Sequence, residues 1–333
     1  MSTARTIPLR TPDHRAPRRH HRTTTVLLCL GALLSPALAP TAAADGTAPA
    51  PRTLLAQDFP DPDVLTTGGR YHAFATSTAT ARVPVAVAAN ADGPWRVTGD
   101  ALAADPPWAD PRAGYWAPDV TRRADGTYLM YYAAVSTQDH HRCIGIAVPD
   151  TVDGPYRPAG GTPLICEPGD GGDIDAQTYQ SGDGTRYLLY KAEHPGGGPS
   201  ALFAQRMTQD GTATTGPRTE LLRADRPEEH GVVEAPALTR HGGRFVLFYS
   251  ADDFRSTGYQ TRYATADRLT GPYTKADDPL LTSESLGHAP ESPGGADVVG
   301  GRVFFHGWLG GQRAERGLFD LDLSFDGAMP QVS

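Results

Sequence analysis

The chain has 333 residues, 39% of them apolar and 20% charged, with a formal net charge of −8 at pH 7. That is ample material for a large core, and it lacks the basic footprint that a nucleic-acid partner requires. Gly (37) and Pro (30) are abundant, as a turn-dense β protein needs.

The first 44 residues read as a secretory signal peptide. Arg5 to Arg22 is basic, Val26 to Leu34 is apolar, and Ala37-Leu38-Ala39 and Ala42-Ala43-Ala44 both have the small-residue form of a cleavage site. The apolar run falls short of the ~20 residues that a membrane anchor needs. The expectation is therefore a secreted, extracellular protein without a membrane partner. Cys29 would leave with the peptide, while Cys143 and Cys166 remain as one disulfide or as two buried thiols. Two cysteines so placed make no metal site. Residues 45–52 form a small, Ala/Pro/Thr-rich flexible lead-in, and residues 53–333 a single domain.

Within that domain one pattern returns five times. Gly-Gly-Arg-Tyr71, Asp-Gly-Thr-Tyr128, Asp-Gly-Thr-Arg-Tyr187, Gly-Gly-Arg-Phe245 and Gly-Gly-Arg-Val303 each run from a tight turn into an apolar strand, 57 to 59 residues apart. A glycine turn entering an aromatic and aliphatic run is a hairpin signal. Five such hairpins at one period predict an all-β, five-bladed β-propeller. The blades are expected at about 53–110, 111–170, 171–225, 226–281 and 282–327. Gly-Pro-Trp95, Gly-Pro-Tyr156 and Gly-Pro-Tyr273 mark a later turn in three blades, with Gly216-Pro217 as a candidate fourth.

About ten residues before each hairpin lies a short segment with an acidic or imidazole side chain. These are FPDPDVL with Asp61, YWAPDVT with Asp119, DIDAQTY with Asp175, VVEAPAL with Glu234 and LGHAPES with His288. Each is expected on the innermost strand of its blade, so equivalent positions would converge on one channel. Clustered carboxylates repel and lose solvation, which makes a purely structural reason for them weak. Turn capping at strand starts is the competing reading, but Ser or Asn would serve that equally.

In that order and spacing the five segments resemble glycoside hydrolase family 43, a set of five-bladed β-propeller enzymes acting on arabinose- and xylose-containing polysaccharides. The similarity runs from about Thr53 to Pro330. It implies an inverting hydrolase in which Asp61 is the general base, Glu234 the general acid, and Asp175 the group that sets the acid's pKa and orientation. Asp63, two residues on and on the same strand face, is the rival base. By the same resemblance Trp116 offers a ring face to sugar, and Asp119 is a structural and substrate-orienting residue. His288 faces the channel, and Arg316 points to the sugar, with Arg313 as its alternative. No cofactor is required, a calcium ion beside the histidine being the one cation suggested. The expected partner is a carbohydrate such as arabinan, arabinoxylan or derived oligosaccharides, and the expected state a monomer. Exo-acting α-L-arabinofuranosidase is the first reading, ahead of endo-arabinanase and β-xylosidase. Retaining fructosidases carry Asn-Asp-Pro-Asn where this chain has Pro-Asp-Pro-Asp, which counts against them. A sugar-binding propeller without catalysis is the non-enzyme alternative.

Overall fold

The computed structural model describes residues 49–310 and 313–333. The signal-peptide segment and residues 45–48 of the lead-in lie outside the described residues. Five antiparallel sheets make the five blades. The first has β2 (Asp63–Thr67), β3 (Arg70–Phe74), β4 (Pro84–Ala88) and β5 (Arg96–Asp100). The second has β6 (Tyr115–Arg122), β7 (Tyr128–Val135), β8 (Arg142–Pro149) and β9 (Tyr156–Ala159). The third has β10 (Asp173–Gln180), β11 (Arg186–Ala192), β12 (Ala201–Met207) and β13 (Thr214–Arg223). The fourth has β14 (Val233–His241), β15 (Arg244–Ala251), β16 (Gln260–Ala266) and β17 (Thr274–Lys275). The fifth runs β18 (Glu291–Val299), β19 (Arg302–Trp308), β20 (Arg316–Asp326), with β21 (Met329–Val332) paired to β20. Among the described residues the helical elements are three short 3-10 turns.

The glycine turns fall where the repeat places them, between the first and second strands of every blade. The second strands read as continuous apolar runs, LMYYAA in β7 for example, because each is buried on both faces between neighbouring blades. The core accordingly divides into five clusters, one per blade interface. Phe74 and Val85 meet Met130 and Tyr132 at the first, and Ala73 and Val64 meet Phe304 and Leu318 at the last. The Gly-Pro-aromatic turns lead into or open the fourth strand of their blades. Trp95 Nε1, Tyr156 Oη and Tyr273 Oη each donate to the carbonyl four residues earlier, at Ala91, Val152 and Leu269. Gly216-Pro217 lies inside β13 and makes no such turn.

Two boundaries differ from expectation. Residues 52–55 do not open the first blade; they are β1 (Arg52–Leu55), the outer strand of the fifth blade, paired antiparallel with β20. The ring is thus closed by joining the start of the domain to its end. Arg52, expected in the flexible lead-in, is part of the closure. Its guanidinium donates to both oxygens of the buried Asp320 at 2.9 and 3.0 Å. A four-residue strand gives few periodic positions, so its pairing partner could not be read from pattern alone.

The innermost strands carry a second joining device. In the second to fifth blades the first strand has a bulge near its start, and at the matching position, which in the first blade opens the strand, stand Asp63, Asp119, Gln177, Ala237 and Asp297, facing Phe74, Tyr131, Leu189, Phe248 and Phe304 on the second strands. The polar side chains reach across to the next blade. Asp297 accepts the N–H of Val64 at 2.8 Å and Asp63 that of Val120 at 2.9 Å. Asp119 accepts that of Thr178 at 3.0 Å and Gln177 that of Leu238 at 3.2 Å. Four of five blade interfaces are clasped in this way. Only Ala237 has nothing to offer.

Candidate active site

Above this girdle sits a layer of left-handed backbone. Asp61, Ala117, Asp175, Ala235 and Gly295 occupy the equivalent position in the five blades, with φ of 52°, 41°, 56°, 49° and 60°. Non-glycine residues seldom adopt that conformation, and four doing so in register mark a strained, over-determined layer. At Gly295 even a Cβ would be excluded, since it would lie 2.7 Å from Nδ1 of His306. This conformation places Asp61 and Asp175 at the channel mouth. Glu234 stands one residue before this position, in line with Trp116 and Gly294. Sequence segments that looked equivalent are therefore offset: Asp61 and Asp175 match each other, Asp119 matches Asp63, and Glu234 matches neither.

Asp61, Asp175, Glu234, Trp116 and Arg316 line one cavity of about 250 Å³. Asp61 is held from three sides. Arg316 Nη1 donates to Oδ1 at 3.1 Å, Thr76 Oγ1 donates to Oδ2 at 2.7 Å, and the Asp61 backbone N–H donates to Nδ1 of His306 at 3.0 Å. Burial alone would raise this carboxyl, but the Arg316 charge, His306 and the Thr76 hydroxyl outweigh it and hold it well below the usual carboxylate range. Buried His306 stays neutral, lowered by burial and by Arg316.

Across the cavity, Glu234 receives two hydrogen bonds. Lys191 Nζ donates to Oε2 at 2.8 Å, and Tyr259 Oη to Oε1 at 2.7 Å. Lys191 also reaches Glu193 at 3.0 Å. Asp175 Oδ2 accepts the N–H of Ala235 at 2.9 Å, so it grips the backbone beside Glu234. Burial first, then the negative charge of Glu234, pushes Asp175 up to about 8. Two carboxylates in one cavity thus have opposite leanings.

The other expected residues divide. Arg316 is at the site, its guanidinium 4.9 Å from the centre of the Phe254 ring, whereas Arg313 is tied to Glu291 and to the Arg255 carbonyl. Trp116 lines the cavity, but Arg142 covers one face of its ring at 3.2 Å. Asp119 does not reach the cavity. It lines a channel of about 50 Å³ together with Asp61, Asp63, Asp175 and Asp297, so the structure does not place it against a sugar in the larger cavity. Asp63, bound to the Val120 N–H, is no rival base. His288 is a correction: it lies on an exposed turn before β18 and lines neither cavity, so it offers no ligand to the channel. The site histidine is His306. Cys143 and Cys166 are joined as a disulfide, which ties β8 to the segment leading into β10.

Lys191, Tyr259 and the role of Thr76 were missed. Thr76, Ala133, Lys191, Ser250 and His306 are equivalent, each two residues past the girdle partner on the second strand. A polar residue near the end of an otherwise apolar run was the available signal.

Fold and site together define a five-bladed propeller with an acidic, cation-buttressed pocket at the channel mouth. The model of glycosyl hydrolases family 43 matches residues 51–303. The chain belongs to that family, whose members are glycoside hydrolases with an inverting mechanism. It is 29% identical over 186 residues to a β-D-galactofuranosidase of Aspergillus niger, covering 53% of this chain and 50% of that one. It is 26% identical over 257 residues to an extracellular endo-α-(1→5)-L-arabinanase of Bacillus subtilis, covering 68% and 52%. The chain thus spans about half the length of these relatives. A thermostable family-43 glycoside hydrolase of known structure superposes with a TM-score of 0.74 at 24% identity, covering 83% of this chain and 93% of that one, which shows the shared fold.

Proposed function

We propose that the protein is an inverting glycoside hydrolase that releases a terminal α-L-arabinofuranosyl unit from arabinose- or xylose-containing plant polysaccharides or their oligosaccharides. One observation carries this reading: carboxyls from three different blades open into one cavity with opposed electrostatic surroundings. Asp61, kept ionised by Arg316, takes a proton from the water that attacks the anomeric carbon. Glu234 gives a proton to the glycosidic oxygen as the C–O bond breaks. Asp175 fixes the backbone next to Glu234 and keeps a proton within the pair near neutral pH. Inversion needs the base and acid about 6.5–9.5 Å apart with a water between, and residues from the first and fourth blades facing one cavity suit that requirement.

The cavity volume supports exo action. About 250 Å³ lies below the ~300–1,000 Å³ of pockets for drug-sized ligands, which suits one sugar ring better than a polymer segment. One relative is named for a furanoside and another for L-arabinose; an α-L-arabinofuranoside combines the two. Product analysis on debranched arabinan, branched arabinan and xylo-oligosaccharides tests the reading. Free arabinose as the first and main product is expected. A ladder of arabino-oligosaccharides would make the enzyme an endo-arabinanase, and xylose alone a β-xylosidase.

The basic and apolar leader, with a relative named as extracellular, supports secretion. Sequencing the N-terminus of protein recovered from culture medium should begin just after Ala39 or Ala44. An intact Met1 would contradict it.

A further inference from the structure

Glu234 has the hydrogen bonding of an acceptor. Both of its oxygens are taken by donors, Lys191 at 2.8 Å and Tyr259 at 2.7 Å. A carboxyl that is to protonate a leaving oxygen must itself carry an O–H aimed at substrate, so one of these donors has to withdraw first.

The two donors differ in freedom to move. Tyr259 is buried, its ring lies parallel to that of His306 with centroids 6.0 Å apart, and it fills the space beside Gly294, where a Cβ would stand 2.1 Å from a ring carbon. It has nowhere to go. Lys191 is an unbranched chain whose ammonium already touches a second carboxylate, Glu193 Oε2, at 3.0 Å. Glu193 lines the same cavity and is partly exposed there.

On the reading of Glu234 as the acid, we infer that Lys191 is a movable counter-ion that swings from Glu234 to Glu193 when a sugar fills the cavity. Its departure frees Oε2, which takes up a proton from solvent through the cavity mouth. The sequence balances. Glu234 gives that proton to the leaving oxygen, Asp61 accepts one from the attacking water, and exchange with solvent restores both groups. Lys191 is a positioning residue and touches no reacting atom. The charged and titratable groups that face it or its two partners are Asp175, Asp61, Tyr259, His306, Arg142 and Asp253. None of the cations among them bonds to Glu234. Burial opposes charge on Lys191, but Glu234, Glu193 and Asp175 outweigh it and keep the ammonium charged well past neutral pH.

The test compares Glu193→Gln and Lys191→Met by pH profiles of kcat/KM, on an activated aryl α-L-arabinofuranoside and on an unactivated arabino-oligosaccharide. With Glu193 neutral, Lys191 stays on Glu234. The oligosaccharide rate should fall about tenfold while the aryl glycoside, which scarcely needs an acid, is spared. The basic limb should move down by about one pH unit. With Lys191 gone, the Glu234–Asp175 pair keeps its proton longer, and the limb should move up by about as much. Opposite shifts support the inference. Limbs that do not move, that move together, or equal losses on both substrates overturn it. Glu193 is partly exposed, so its variant keeps the test alive should the buried lysine be needed for folding. Glu234→Gln is the control for the underlying reading. If that variant loses both substrates equally, Glu234 is not the acid, whatever Lys191 does.

Discussion

Two layers of carboxylates line the same channel at the starts of the innermost strands, and they do opposite things. In the lower layer Asp63, Asp119 and Asp297 face across blade boundaries, and each accepts a backbone N–H from the neighbouring sheet. In the upper layer Asp61 and Asp175 have left-handed backbone, and together with Glu234 they are bound by side chains as well as backbone and open into the larger cavity. The bulge makes the difference. It inserts a residue, rotates the chain, and turns a side chain from its neighbour toward the channel mouth. Residue type alone does not distinguish a clasp from a candidate catalyst.

Substitutions should separate the layers cleanly. Glu234→Gln and Asp61→Asn should each lower kcat on an oligosaccharide by about 10²–10⁴-fold, with the fold retained. Asp61→Asn should fail on aryl glycosides too, because a good leaving group does not replace the base. Turnover within a fewfold of the parent in either variant would remove that residue from the reaction.

The lower layer should respond the other way. Asp119→Ala leaves the Thr178 N–H buried without its acceptor, at a cost of about 1–3 kcal/mol, and should lower the melting temperature while kcat stays within a fewfold. A large loss of kcat with unchanged stability would mean that Asp119 reaches the substrate after all.

How much of this was legible follows the same division. The ring of five was open to reading because each turn-and-strand unit must hide its apolar second strand between two others, and that need repeats at one period. Asp61, Asp175 and Glu234 stood out because acidic groups at strand starts have no packing reason to be there. The exact equivalence did not, since a one-residue bulge is silent in a pattern built on alternation. It made Asp119 look like a partner of Asp61, while Ala289-Pro290, imitating the Ala-Pro of the second and fourth segments, put His288-Ala289 where Gly294-Gly295 stands. Lys191 was hidden inside the apolar run LLYKA, where a lone polar residue reads as ordinary tolerance until its register partner Ile174, next to Asp175, is known.

Acidity offers a finer contrast. Burial pushes Asp119 up to about 7 and Asp297 to about 6, and burial with the Glu234 charge pushes Asp175 to about 8. In the unfolded chain the same groups release their protons near 4. Between those limits the folded protein binds more protons than the unfolded one, so stability must fall as pH rises. Asp61, lowered instead, loses its share only in strong acid. The melting temperature should therefore be higher at pH 5 than at pH 8.5, by a few degrees. The opposite slope would mean that the lower layer is ionised and stabilised by something other than its N–H donors.

The smallest effect sharpens the comparison most. Gln177 fills the clasp position of the third blade with a neutral amide, bound at 3.2 Å to the Leu238 N–H. Gln177→Ala should cost about 0.5–1.5 kcal/mol, less than Asp119→Ala, and should leave the dependence of stability on pH untouched. If the girdle works by hydrogen bonding, both substitutions loosen one blade interface and differ only in size. If it works through shared charge, the glutamine is a bystander, and its removal will leave the melting temperature where it was.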